Sequence, residues 1–566
     1  MTFGFRLLQL SISATIISLI LVADFILPQS ALGAFGLSNN DGYYRVDTGA
    51  GLVFKVKQSG GDITSLNYHG IEYQEPAKGS QINSGLCTTN VKAAVYGTNY
   101  IKSTVVDTTG TLTHYYLARN GFNNIYMATY FTKEPSIGLI RFIVRIPAKL
   151  LPHGPASSDV RDSTESIEAR DVFGMADGTT RSKHYSNRRL LDWSFTGATG
   201  NNVGVWMVRS SHEGDSGGPF YRCLINQCSK DQEIYEIINY GEAQTEPFRT
   251  NILNGPYTLA FTDGGPPDTN MDYSWIETGG LNLIGWISNT NRGAVAGIVT
   301  GVPVRFQAVV GFANGHAQYW AVAPTNGSYT TPVMIPGNYI ATLYKQELAV
   351  ATSSVTVAAG VTSTLNLASK EETPAYIWKL GEWDGTPAGF LNANKVTIMH
   401  PSDVRMGNWN PGTFIVGASN PATGIPCYQW KDINPNLVIR FQLTAGQLVD
   451  STLRVGITVA YADARPNISV NSWTCEANLA PSRQPKTRTL TVGTYRGNNT
   501  TFTFSVPASV LVAGTNTLTA FPISGSGTSK FLSAGYGLDC IEWDASGTNN
   551  LRTAPTSLPA MTTVLQ

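Results

Sequence analysis

The strongest constraint on this chain is a pattern of short runs in which apolar and polar residues alternate, cut off by turn residues roughly every ten positions. Leu52-Val53-Phe54-Lys55-Val56 and Thr501-Phe502-Thr503-Phe504-Ser505-Val506 are examples. Side chains of an extended strand point alternately to opposite faces, so such a run builds a sheet with one buried face. The long stretches rich in Glu, Lys, Leu and Ala that build helix bundles are missing. Gly, Thr, Ser, Asn, Tyr and Val dominate, and only 14% of residues are charged. An all-β fold is expected. At 566 residues the chain is too long for one core and suits about three domains.

The pattern divides accordingly. Residues 34–285 read as many short strands, Leu139-Ile140-Arg141-Phe142-Ile143-Val144-Arg145 among them, and form a large β-sandwich. A polar stretch from Pro152 to Asp177 reads as a long loop or short turns on the surface. Residues 286–368 have the length and strand pattern of a small fibronectin type III-like sandwich. They carry no cluster of titratable groups and read as a spacer. Residues 375–544 suit a carbohydrate-binding-like jelly roll. The segment 545–566, rich in Thr, Ser and Pro, is expected to be disordered.

The N-terminus reads as an export signal at residues 1–33. Arg6 precedes a mostly apolar run from Leu7 to Val22, and Ala31-Leu32-Gly33 offers a cleavage site. A secreted, extracellular protein with no membrane attachment after cleavage is expected. Oxidising surroundings let cysteines pair: Cys223 with Cys228 across a small loop, and Cys427 with Cys475, whereas Cys87 and Cys540 read as buried thiols. Asn326, Asn467, Asn498 and Asn499 begin glycosylation sequons. Formal net charge is zero, with 39 basic and 39 acidic residues, so no global basic field exists to hold nucleic acid. A monomer is expected.

Gly214-Asp215-Ser216-Gly217-Gly218-Pro219 matches the surroundings of a serine-protease nucleophile. That chemistry needs a histidine base and an aspartate in a set chain order, and His69, His114, His153 and His184 lack the context. The run is read as a turn ending a strand.

The charged residues concentrate elsewhere. Between Arg141 and Arg189 there are nine basic and six acidic residues in a chain that is neutral overall. Arg141 and Arg145 share one face of a strand, and Arg181 and Lys183, two apart, would point the same way on an extended strand. Such a neighbourhood can pair guanidinium groups with a carboxylate and lower the pKa of a lysine, the ordinary alternative being solvated surface charges.

Several segments taken in order carry a resemblance. They are Pro135-Ser136-Ile137-Gly138-Leu139-Ile140-Arg141-Phe142, Thr180-Arg181-Ser182-Lys183-His184-Tyr185-Ser186, Ser216-Gly217-Gly218-Pro219-Phe220, Gly241-Glu242-Ala243-Gln244-Thr245-Glu246, Gly381-Glu382-Trp383-Asp384-Gly385 and Met399-His400-Pro401-Ser402-Asp403. Together they resemble fungal rhamnogalacturonan lyases of polysaccharide lyase family 4, from Ala34 to Trp543. The resemblance implies β-elimination on the pectic polysaccharide rhamnogalacturonan I, with no catalytic cofactor. It places the base on Lys183 and substrate contacts on Arg141, Tyr235 and Arg488, to which the charge argument adds Arg181 and Arg145.

At Glu242 the family pattern has a histidine, proposed there as proton donor. Three readings stay open: Glu242 donates while held protonated by burial, the role passes to Tyr240, Tyr235 or His184, or turnover is impaired and the protein binds pectin without cutting it. Jelly rolls of this kind often hold a structural Ca²⁺, for which Glu382 and Asp384 near the start and Asp539 and Glu542 near the end are candidates, surface carboxylates being the equal alternative.

Overall fold

The computed structural model describes residues 33–83, 85–133, 139–240, 246–372, 374–480, 488–494, 499–524 and 527–544. The expected export signal up to residue 32 and the expected disordered tail lie outside them. The described chain is nearly all β, as the alternating runs require.

In the strand Leu52–Lys57, Leu52, Phe54 and Val56 are buried and Lys55 and Lys57 face water. The first unit repeats this device in a five-stranded, a seven-stranded and a four-stranded sheet. One apolar core joins all three, with Phe54 from the first, Met127 and Met207 from the second, and Phe142, Val144 and Ile234 from the third. The four-stranded sheet centres on Leu139–Pro147 paired antiparallel with Asp231–Tyr240. Its far face carries Ile143, Tyr235 and Ile237, which pack with Leu190, Trp193, Tyr221 and Cys223 in a second cluster.

The stretch expected to be a long loop or short turns is partly ordered into strands. Glu165–Glu168 and Val172–Gly174 pair with each other, and the latter pairs with Thr180–Ser182. Alternation is too brief in strands of three or four residues to register as a period.

The second unit is a two-sheet sandwich around Val310, Phe312, Tyr339 and Leu343. Its role exceeds that of a spacer. Buried Glu347 takes Arg222 of the first unit at 2.7 Å, its backbone N–H donates to Asp384 O at 2.9 Å, and its carbonyl accepts from Asn499 Nδ2 at 3.1 Å. One residue thereby ties three units together.

The third unit packs two five-stranded sheets face to face. Its last strand, Gly535–Asp544, is buried along its whole length and pairs with Trp378–Gly381, Tyr428–Trp430 and Ser451–Tyr461. Asn467 is buried in the strand Arg465–Val470, which leaves no room for a glycan at that sequon; Asn326 is exposed.

Candidate active site

The Thr180–Ser186 segment lies where the first unit meets the third. Thr180 donates to Asp403 Oδ2 from its backbone N–H at 2.6 Å and from its hydroxyl at 2.8 Å. The same hydroxyl accepts from the His400 N–H at 3.0 Å, and Tyr185 Oη donates to Thr491 O at 2.6 Å. Val172, Tyr185 and Val492 form a small apolar cluster across the seam. Burial alone would raise the Asp403 carboxyl. Its bonds from Arg405 and Thr180 outweigh that and hold it at about 2.

The strand does not continue to Lys183. Ser182 accepts from the His184 N–H at 3.2 Å and caps a short 3-10 turn, Lys183–Ser186. Arg181 and Lys183 therefore do not project together as an extended strand would have them. Arg181 donates to Thr179 Oγ1 and Thr180 O, whereas Lys183 turns to Asp171, 2.7 Å away. The ion-pair partner of Lys183 is thus a carboxylate supplied by the turn after Glu165–Glu168.

Asp171 also meets Arg488 of the third unit at 3.0 Å, and Arg488 Nε lies 3.3 Å from Glu168. His400 Nε2 lies 3.4 Å from the other Glu168 oxygen. Burial pushes the Asp171 carboxyl up, but hydrogen bonds and charge from Lys183, then Arg488, hold it below its ordinary range. The Lys183 side chain keeps 21% exposure, enough to meet a ligand. Asp171, Glu168 and His400 were not singled out from the sequence, because their roles depend on a contact across more than two hundred positions. The only sequence signal was His400 within one of the resembling segments.

The other expected site residues divide. Arg141 is half-buried, with its guanidinium 5.6 Å from the centroid of the Tyr235 ring. Tyr235 is itself buried and donates to Glu233, so in this arrangement it supports Arg141 and does not face a substrate. Arg145 is also buried, held by Glu233 at 3.1 Å and by Gly79 O at 2.9 Å. It is a structural ion pair, because the sheet face it shares with Arg141 is covered at that end. Glu242 and the Tyr240 side chain lie outside the described residues. His184 is fully buried, and burial, then Lys183 and Arg488, push its imidazole down to about 3. It is neutral and enclosed, a poor site for a relocated donor.

Ser216 is buried and donates to Pro247 O at 3.3 Å, while His212 Nδ1 meets Asp215 at 3.0 Å. The hydroxyl has no histidine base, so the protease-like run is a turn at positive-φ Gly217 and Gly218. The four proposed calcium ligands are not gathered, and the described residues contain no cluster of three or more metal-binding side chains. Glu382 is taken by Lys379 at 2.9 Å and Arg305 at 3.3 Å, and Glu542 accepts from Trp383 Nε1 at 3.0 Å. Asp384 and Asp539 remain adjacent, with Asp539 Oδ1 accepting from the Gly385 N–H at 2.9 Å. The four residues as a set are not gathered into the expected site. Nor are Cys223 and Cys228 bonded. Cys223 lies opposite Arg188 and Cys228 opposite Gln232 in different sheets, and both are buried thiols. Cys427, Cys475 and Cys87 form no disulfide; Cys87, expected to be a buried thiol, is exposed, whereas Cys540 is buried as expected.

Three family models match in succession. Residues 35–284 match the N-terminal model of rhamnogalacturonan lyase B, residues 291–365 match domain II of polysaccharide lyase family 4, and residues 376–543 match its domain III. Among similar proteins, a probable rhamnogalacturonate lyase A of Aspergillus clavatus is 41% identical over 517 residues, covering 90% of this chain and 96% of that one. Rhamnogalacturonate lyase A of Aspergillus aculeatus is 41% identical over 519 residues, covering 91% and 97%. That of Emericella nidulans is 41% identical over 517 residues, covering 90% and 96%.

Proposed function

The chain belongs to polysaccharide lyase family 4, and from that premise we propose that it cleaves the rhamnose–galacturonate bond of rhamnogalacturonan I by β-elimination. The observation that carries this reading is the cationic pair Lys183 and Arg488 gathered around Asp171 at a seam between two units, with Lys183 open to solvent.

The neutral amine of Lys183 takes the C5 proton beside the uronate carboxylate. Electrons from the broken C–H bond form the C4–C5 double bond, and the C4–O bond breaks. Arg141 neutralises the carboxylate as charge develops on it. Arg488 holds the chain of sugars from the third unit's side. The leaving oxygen receives a proton from Glu242 or Tyr240. An ammonium cannot accept a proton, so Lys183 must give up its own before each turnover. Asp171, which contacts it, is well placed to orient the side chain meanwhile.

The protein acts outside the cell as a monomer. It is exported by its N-terminal segment and glycosylated at exposed Asn326. Incubation with rhamnogalacturonan and detection of 4,5-unsaturated uronate ends tests the reading; hydrolytic products alone would refute it.

A further inference from the structure

A second cavity lies away from the lysine seam, between the first unit and the sandwich that follows it. It measures about 680 Å³, within the usual range for a small-molecule site. Trp286, Tyr273 and Met271 line it from one side and Trp320, Pro332 and Val333 from the other. The two tryptophans are only partly buried, and Trp286 Nε1 is enclosed without a hydrogen-bond partner among the described residues. Trp320 is fixed in orientation by His212, which stacks on it at 5.3 Å and 29°. Tyr273 is fixed by hydroxyl contacts to Ser210 at 3.0 Å and Thr258 at 2.9 Å.

The charges distinguish this cavity from the lysine seam. Its one guanidinium, Arg292, is spent on Glu213 at 2.7 and 3.0 Å, and Tyr319 donates to that carboxylate at 2.8 Å. Asp272 and Glu277 line the rim, both exposed. Burial, then the neighbouring Arg209, push the His212 imidazole down, so it adds no positive charge. A uronate entering here would meet carboxylates, and the guanidiniums nearby are already paired, Arg292 with Glu213 and Arg119 with Asp272 at 3.5 Å. Fixed rings interleaved with hydroxyl and amide groups, in a field that is neutral to negative, suit the apolar face and hydroxyl edge of an uncharged sugar.

We propose that this cavity is a binding site for neutral oligosaccharide, separate from the eliminating site. It rests on the proposed function only for where such glycans come from: neutral branches of the polymer being cut. Trp286 and Trp320 carry the stacking, and exposed Ser210 and Asn289 are the polar groups at hand.

Titration calorimetry on the full chain carrying Lys183→Ala tests the site without turnover, so its outcome is independent of whether the chain is a lyase. The probes are β-1,4-galactotetraose, α-1,5-arabinotetraose and, as the charged control, tetragalacturonate. At least one neutral probe should bind, weakening about tenfold or more in Trp320→Ala. It should weaken likewise in Thr290→Trp, which fills the mouth from an exposed turn and keeps the test valid if the first variant does not fold. Tetragalacturonate should be indifferent to both changes. Which neutral probe binds identifies the branch type. Failure of both neutral probes to bind, neutral binding unaffected by Thr290→Trp, or displacement of the neutral probe by tetragalacturonate would each overturn the proposal.

Discussion

Asp171 Oδ1 lies 2.7 Å from Lys183 Nζ, and the other oxygen of the same carboxylate lies 3.0 Å from Arg488. A residue of the first unit thus fixes both the proposed base and a cation from the third unit, more than three hundred positions away. The geometry of the site depends on the seam, and the seam depends on Thr180, Asp403, His400 and Tyr185.

If Lys183 is the base, Lys183→Ala lowers turnover by roughly 10² to 10⁴-fold while oligosaccharide binding stays nearly intact, because a base acts on the transition state. Asp171 keeps Arg488 as partner in that variant, so the fold should tolerate it. Arg141→Ala should weaken binding and rate together, since a carboxylate needs a partner in ground and transition states alike. Steady-state kinetics with calorimetric binding separates the two. A Lys183→Ala protein that keeps most of its activity would remove Lys183 from the mechanism.

Asp403 should make the seam acid-sensitive. Its folded value of about 2 lies below the ordinary 3.8, so its contribution is complete above the unfolded value and is lost as pH falls from there toward about 2. At neutral pH, Asp403→Asn should cost on the order of 2 kcal/mol, and the gap from the parent should close as pH approaches 2. Thermal midpoints of both proteins across acid pH check this; a gap that widens on acidification would contradict it.

The resemblance implies a histidine in the family at the position of Glu242. Glu242→His should raise the elimination rate if the carboxyl is a weak donor. No gain would favour either another group, Tyr240 foremost, as the proton donor or a wider loss of the site. Initial rates near neutral pH decide between them, and Tyr240→Phe in the same assay identifies the donor.

Ser216→Ala should leave elimination unchanged, and a fluorophosphonate probe should not label the parent protein. The Ser216 hydroxyl is enclosed and directed at Pro247 O. Labelling at Ser216 would reopen the hydrolase reading.

The parts of the fold legible in sequence were those where one strand buries one face. Leu52–Lys57 alternates as written, and Leu437–Leu443 does the same in the third unit. The short strands Glu165–Glu168 and Val172–Gly174 were not legible, because their order comes from the sheet and the neighbouring unit they meet. Lys183 and Arg141 were proposed from the resembling segments, but the partners of Lys183 could not be read there. Ser182 caps a turn where strand periodicity predicted continuation, and this sends Lys183 to Asp171 and away from Arg181. Arg145 and Tyr235 were misjudged for a related reason: sequence shows that residues share a face, but not which end of that face is covered.

The most direct test of the central claim is the ultraviolet absorbance of purified protein incubated with rhamnogalacturonan, followed from acid to alkaline pH beside Lys183→Ala. Elimination creates a double bond conjugated with the uronate carboxylate, so absorbance should rise with the parent and stay flat with the variant. A flat trace with the parent at every pH, or an equal rise with both proteins, would contradict the account.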